Sequence, residues 1–440
     1  MKFCVQPGGS LTGTLRVPGD KSMSHRSVML GSLAEGVTKV SGFLEGDDAL
    51  ATVAAFRAMG VRIDGPDQGC LTIHGVGLTG LQAPSAVLDM GNSGTSMRLL
   101  SGILAGQSFD SILTGDASLL RRPMGRVITP LARMGASIES QDKGLPPLSV
   151  RGGSALQGIH YDLPMASAQV KSCVLLAGLF ATGRTSVTEP APTRDHTERM
   201  LRGFGYAVEN NNGVIGLEGG GSLRGTDIDI PADISSAAFF LVGASIAPGS
   251  DLLLQHVGMN PTRTGVLTIL QLMGADITVL NEREVGGEPV ADLRVRSAPL
   301  RGIDIPQEEV PLAIDEFPAL FIAAACAEGT TTLSGAEELR VKESDRIASM
   351  AAGLTTLGIN NEVRPDGIVI HGGELGAGSV ETFHDHRIAM SFAMAALRAR
   401  GPIDILDCDH VATSFPGFAN LASEAGLGLE VIPTSTSGTP

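Results

Sequence analysis

Residues 81–100 read LQAPSAVLDMGNSGTSMRLL: a leucine, a short strand-like run, a turn of small and polar residues, then an apolar helix. The same order begins at Leu11 (LTGTLRVPGDKSMSHRSVML) and at Leu156 (LQGIHYDLPMASAQVKSCVLL). It returns at Leu223 (LRGTDIDIPADISSAAFFLV), Leu300 (LRGIDIPQEEVPLAIDEFPALFI) and Leu375 (LGAGSVETFHDHRIAMSFAMA). Successive starts lie 70, 75, 67, 77 and 75 residues apart. A second helix in each interval ends in glycine and runs into a strand: MGVRI at Gly60, MGASI at Gly135, FGYAV at Gly205, MGADI at Gly274, LGINNEV at Gly358 and AGLGLEV at Gly426. Glycine just past a helix end is the expected left-handed stop. Each interval therefore reads as strand, helix, strand, helix, then one or two strands. Six such units predict an α/β fold, and they exceed one comfortable core, so two domains of three units each are expected. The segment TSTSGTP at 434–440 reads as a flexible tail.

Composition narrows the function classes. Among 440 residues there are 32 Lys+Arg against 47 Asp+Glu, a formal charge of −15, which disfavours nucleic acid or an anionic membrane as the main partner. No Trp and only two Tyr disfavour a stacking platform for single strands. The 57 glycines, roughly twice the usual share, fit many tight turns. The amino end carries no apolar leader-like region, and the longest apolar runs, 237–247 and 317–327, reach about half the ~20 residues of a membrane span. Five cysteines (Cys4, Cys70, Cys173, Cys326, Cys408) form no CxxC pair, so reduced, mostly buried thiols in a cytoplasmic protein are expected.

If the units are equivalent, their strand-to-helix turns occupy equivalent places and can be compared. The first holds Lys21, Ser22 and Arg26; the second Asn92, Ser93, Gly94, Thr95 and Arg98; the third Ser167, Gln169 and Lys171. The fifth holds Asp315 and Glu316, and the sixth His384, Asp385, His386 and Arg387, whereas the fourth, with Asp233, Ser235 and Ser236, reads as plain scaffold. Second-helix starts add Arg121, Arg122, Arg194, Arg263, Lys342, Glu343 and Arg346. Helix amino ends already favour anions, and cations gathered there point to an anionic ligand. GNSGTS at 91–96 reads either as a phosphate cradle or as a helix cap made by Asn92 or Ser93, and it lacks the GK[ST] ending of a nucleotide loop. His384-Asp385-His386 reads as structural rather than metal-binding, because no third ligand is evident. Lys342 and Arg346 are expected four apart on a helix from Val341. Asp315 reads as an N-cap that also stays ionised and could accept a proton.

The stretches PGDKSMSHR (18–26), GNSGTSMRL (91–99), RPMGR (122–126), SAQVK (167–171), RDHTE (194–198), NPTR (260–263), IDEFPAL (314–320), RVKESDR (340–346) and DHRIAM (385–390) together resemble the EPSP synthases, the 3-phosphoshikimate 1-carboxyvinyltransferases. The likeness runs from near residue 7 to about residue 425, with the motifs in order. It implies an enolpyruvyl transferase fold of two domains, each of three βαβαββ units, joined by two crossovers. Residues 1–18 plus 228–440 would form the domain with both termini and 19–227 the inserted one, with the active site in the cleft between them. The implied reaction moves the enolpyruvyl group of phosphoenolpyruvate (PEP) to the 5-hydroxyl of shikimate 3-phosphate and releases phosphate. No metal or organic cofactor is implied, and the protein would be a monomer working on two small anions.

By the same resemblance, Ser22 and Arg26 would hold the shikimate carboxylate. Ser167, Ala168, Arg194 and Lys342 would surround its phosphate and ring, and Gln169 would sit between the substrates. Lys21, Arg122, Arg346 and Arg387 would clamp PEP, with the backbone at Gly94 approaching it. Asp315 would take the proton of the attacking hydroxyl, helped by Lys342, and Glu343 with Lys21 would protonate the PEP methylene. Leu99 and Thr413 depart from the best-known branch, while GDKS, SAQVK, RDHTE and NPTR are similar to the second class, often tolerant of the PEP mimic glyphosate. Gly94 leaves the space that the extra atoms of this inhibitor would use. The related UDP-N-acetylglucosamine enolpyruvyl transferases resemble the chain less, since GDASLLRR (115–122) carries no counterpart of their catalytic cysteine. A non-catalytic repeat scaffold is the reading from a different class.

Overall fold

The computed structural model describes residues 1–433; the expected tail at 434–440 lies outside them. Among the described residues six small sheets, five of four strands and one of three, follow one plan. The second repeat shows it plainly. Strand Leu88–Asp89 leads through helix Gly94–Ala105 to Ser111–Thr114, then through helix Gly125–Arg133 to the hairpin Ile138–Gln141 and Leu145–Val150. The first two strands pair in parallel, as a helical crossover requires, and the hairpin pairs antiparallel. The third repeat repeats this order with His160–Asp162, Arg184–Thr188, Glu209–Asn211 and Val214–Glu218. The glycines that close the second helices, Gly60, Gly135, Gly205, Gly274, Gly358 and Gly426, all have φ between +81° and +116°. A side chain there would strain the backbone, which is why glycine marks each unit in the sequence.

The chain divides into two compact units. Unit one comprises Met1–Pro18, Pro231–Glu284 and the chain from Pro289 onward; unit two comprises Gly19–Ile230 and Val285–Glu288. Two strands trade places to produce this division. Thr12–Leu15 precedes helix Lys21–Leu33 but pairs in parallel with Asp251–Gly258 of the fourth repeat. Asp227–Asp229 precedes helix Ile234–Ile246 but pairs in parallel with Glu35–Ser41 of the first. That pairing puts the second crossover after Ile230, three residues beyond the 227/228 boundary read from the sequence. The amino-terminal strand Lys2–Val5, which the repeat pattern leaves unassigned, closes the sixth sheet between Ile403–Leu406 and Leu429–Ile432. In the fifth repeat, bridges at Arg301 and Asp304 stand where the others have a first strand.

Each unit buries its own apolar core. The first helix of a repeat lies deepest: every residue of Ile234–Ile246 is buried, as a helix apolar all round should be. In unit two, helices Gly94–Ala105 and Ala168–Gly178 touch closely at Gly102, where a methyl group would fall 2.3 Å from the Cys173 carbonyl oxygen. Burial pushes the Cys173 thiol up to about 12, so it stays protonated. All five cysteines are unpaired as disulfides. Among the described residues no helix is long and apolar enough to cross a membrane.

Candidate active site

In unit two the helix Lys21–Leu33 starts from Asp20, whose carboxylate accepts the Met23 N–H at 2.8 Å. This cap fixes the first turn and with it Lys21 and Ser22. Lys21 Nζ lies 2.8 Å from Asp48 Oδ2, the two side chains 19% and 9% exposed. Arg26, one turn deeper, donates to Thr197 Oγ1 (2.7 Å), Ser172 Oγ (2.8 Å) and the Ser22 carbonyl (2.9 Å). Its fork is thus held rigidly, a pre-organised group for a carboxylate.

A second corner forms at the start of helix Gly94–Ala105. Ser93, not Asn92, is the cap, its hydroxyl accepting the Ser96 N–H at 3.1 Å. Asn92 instead reaches Asp116 Oδ2 (2.7 Å) and accepts Arg122 Nη2 (2.7 Å), while Ser118 accepts the same Nη2 at 3.1 Å. Gly94 is buried beneath two guanidinium groups, those of Arg98 and Arg122. Arg98 Nη1 donates to Gln169 Oε1 at 2.6 Å, and Gln169 Nε2 donates to Thr95 Oγ1 at 3.0 Å. Ser167 caps the helix Ala168–Gly178, so Ala168 and Gln169 are its first two residues. Arg194 lies half-buried just before the helix His196–Gly203. Lys171 is different: at 1% exposure it pairs with Glu189 (2.9 Å) and Glu198 (2.8 Å), an internal ion cluster rather than a ligand group.

Unit one gathers its candidates around Arg346, itself 1% exposed. Arg346 Nη1 lies 3.1 Å from Asp315 Oδ1, Nη2 2.5 Å from Glu343 Oε2, and Nε 2.9 Å from Asp385 Oδ2. Burial opposes its charge, but Asp385, Glu343 and Asp315 outweigh that, and the pKa of the guanidinium is raised. Lys342 Nζ approaches the same Asp315 oxygen at 3.4 Å and Glu338 at 3.8 Å. Arg387 Nη1 donates to the Asp315 carbonyl at 2.9 Å. One partly exposed carboxylate thus faces two cations, while a third holds the backbone of the same residue.

Two sequence expectations change here. No helix starts at Val341: Glu337–Val341 is a short 3-10 turn, and the α-helix begins at Arg346, capped by Asp345, which accepts the Ala348 N–H at 3.0 Å. Arg340 pins that cap through Asp345 Oδ2 at 2.6 Å. Lys342 and Glu343 therefore project from a bend rather than a helix face. Nor is Asp315 an N-cap: Glu316 holds that position before helix Phe317–Cys326, with its side chain turned to Ser235. That leaves the Asp315 carboxylate to the cations. Glu316 also lies 3.8 Å from the buried Arg263, which Asp233 holds at 2.9 Å, so Arg263 serves the scaffold. In the His384-Asp385-His386 run, Asp385 caps the next helix through the Arg387 N–H at 2.9 Å, and His384 pairs with Asp407 at 3.2 Å. Among the described residues no group of three or more His, Cys, Asp or Glu could hold a metal ion.

Arg98 is the residue that sequence reasoning noted in its turn but gave no role. Its signal was there, one helical turn past Gly94, but its partner Gln169 is 71 residues away.

Comparison with known proteins decides the family. The model of EPSP synthase (3-phosphoshikimate 1-carboxyvinyltransferase) matches residues 5–421. The chain belongs to the EPSP synthase family. A relative from Alkalilimnicola ehrlichii, a 3-phosphoshikimate 1-carboxyvinyltransferase, is 71% identical over 98% of this chain and 96% of its own. One from Methylococcus capsulatus with the same description is 67% identical over 98% of both chains. The EPSP synthase structure from Acinetobacter baumannii superposes with a TM-score of 0.88 at 61% identity, over 98% of this chain and 99% of that one. The enolpyruvyl transferase NikO of Streptomyces tendae, at 19% identity and a TM-score of 0.78 over 98% of both chains, shares the fold. Identity of the degree seen in the first two relatives, over nearly the full length, carries the reaction of the EPSP synthase family, enolpyruvyl transfer to shikimate 3-phosphate, to this chain.

Proposed function

We propose that the side-chain sets of the two units serve one addition–elimination reaction on one pair of small anionic substrates. The 5-hydroxyl of shikimate 3-phosphate attacks C2 of PEP as Asp315 takes its proton, and Glu343 with Lys21 delivers a proton to the methylene carbon. The resulting tetrahedral phospho-ketal then returns a methyl proton to Glu343 as Asp315 gives its proton to the departing phosphate, leaving the enol ether and restoring both carboxyl groups. Lys21, Arg122, Arg346 and Arg387, with the Gly94 backbone, bind PEP. Ser22, Arg26, Ser167, Ala168, Arg194 and Lys342 bind shikimate 3-phosphate, and Gln169 lies between the substrates. The enzyme works as a cytoplasmic monomer whose units close on the substrates, excluding water and aligning the reactants.

The observation that carries this reading is the setting of Asp315. Its carboxylate faces Arg346 at 3.1 Å and Lys342 at 3.4 Å, with 14% of the side chain exposed. Such a group is oriented by two cations yet remains accessible, as a general base must be. Phosphate release from PEP, measured with shikimate 3-phosphate or with UDP-N-acetylglucosamine as acceptor, tests the assignment. Turnover is expected with the first acceptor alone. Asp315→Ala should lower kcat by about 10²–10⁴-fold, the usual share of a general base, with an unchanged fold by circular dichroism. Near-normal turnover would remove Asp315 from the mechanism.

A further inference from the structure

The contact between Lys21 and Asp48 is the outer rung of a two-rung ladder between helices Lys21–Leu33 and Asp47–Ala58. Four residues further along each helix, on the same faces, His25 Nδ1 and Thr52 Oγ1 meet at 2.8 Å. Thr52 Oγ1 is also 2.8 Å from Ser96 Oγ, and Ser96 Oγ lies 3.3 Å from His25 Nδ1. Ser96 in turn donates its hydroxyl to Ser93 Oγ at 2.7 Å, the same oxygen that caps the helix beginning at Gly94. His25, Thr52 and Ser96 are 0% exposed and Ser93 is 1% exposed.

We infer that His25 is a positioning residue for PEP binding, tying Lys21 and the Gly94 corner into one geometry through Thr52, Ser96 and Ser93. The inference rests on the roles given above to Lys21 and Gly94. Donors run in series when the neutral imidazole carries its proton on Nδ1: His25 to Thr52, Thr52 to Ser96, Ser96 to Ser93. His25 Nε2 is then an acceptor without a hydrogen-bond partner. Burial, with Lys21 and Arg26 nearby, holds the pKa of His25 well below 6.5, so the ring is neutral near pH 7. Buried side chains joined by hydrogen bonds in this way fix one relative placement of the two helix starts, where apolar packing would tolerate several.

Thr52→Val keeps the volume and removes the shared hydroxyl. Steady-state kinetics with PEP and shikimate 3-phosphate should show KM for PEP rising about five-fold, the size of one hydrogen bond, with kcat and the KM for shikimate 3-phosphate within two-fold. Thr52→Ser, which keeps the hydroxyl, should restore the wild-type KM. His25→Leu should raise KM in the same direction; if that variant does not fold, the threonine pair carries the test. An unchanged KM for PEP in Thr52→Val, or a fall in melting temperature with no kinetic change, would overturn the inference. Wild-type protein inactive on both substrates would instead overturn the functional reading beneath it.

Discussion

Gly94→Ala asks how much room the PEP corner has. The backbone of Gly94 is not in the left-handed region, so alanine costs no strain, and at a helix start it is favoured over glycine by up to about 1 kcal/mol. Space is the difficulty. The new methyl carbon would sit 3.2 Å from Arg98 Nη1 and 3.4 Å from Arg122 Nη1, so both guanidinium groups must give by a few tenths of an ångström. Neither moves without loss, because Arg98 is held at 2.6 Å by Gln169 and Arg122 at 2.7 Å by Asn92. Hydrogen bonds to charged groups are worth about 1.5–3 kcal/mol. Weakening one by about 1.4 kcal/mol is a tenfold effect. KM for PEP should therefore rise about tenfold, with kcat within about three-fold and a melting temperature close to that of the wild type, since the helix gain largely offsets the weakened bond. Phosphate release at saturating shikimate 3-phosphate over a range of PEP concentrations measures the first two, and a thermal melt the third. An unchanged KM, or a lowered kcat at constant KM, would refute the crowding argument.

Two further outcomes concern stability. Lys171→Met strands two buried carboxylates, Glu189 and Glu198, and should cost about 3–5 kcal/mol, or roughly 10 °C in melting temperature; a loss under 3 °C would show that the cluster is not structural. Asp251 is held down to about 2 by its two hydrogen bonds with Arg294, at 2.8 and 2.6 Å, helped by Arg296. Its folded-state pKa is depressed, so its contribution is present above about pH 4 and is lost as pH falls toward 2. Thermal melts of wild type and Asp251→Asn should converge over that window, and parallel curves would exclude the pair as a source of acid sensitivity.

Much of this architecture was legible because its cause is local. The six stop glycines recur in sequence since a left-handed residue is needed at the same place in every unit. Lys21, Arg122 and Arg387 stand out because cations at helix starts oppose the helix dipole, and Asp315 because its turn is equivalent to theirs. What spacing did not carry is non-local. Nothing in Thr12–Leu15 or Asp227–Asp229 announces that these strands leave their own repeats, because parallel pairing looks alike from either partner. Spacing misplaces the helix start at Arg346 because Lys342 and Glu343 favour a helix, and the cap at Asp345 competes with them over three residues. Lys171 shares its turn with candidate site residues, and it is Glu189 and Glu198, 18 and 27 positions away, that make it part of the interior.

The strand Lys2–Val5 has a consequence for synthesis. Unit two is essentially complete once Ile230 has been made, and it can fold while the 202 residues up to Ile432 (432 − 230) are translated. At about 5–20 residues per second that interval lasts about 10–40 s. The strand Lys2–Val5 spends it without its neighbours, since Ile403–Leu406 and Leu429–Ile432 emerge only toward the end of that interval. A strand made before the whole of unit two therefore finds its place after it, and throughout that wait its apolar Phe3 and Val5 are what a chaperone would meet.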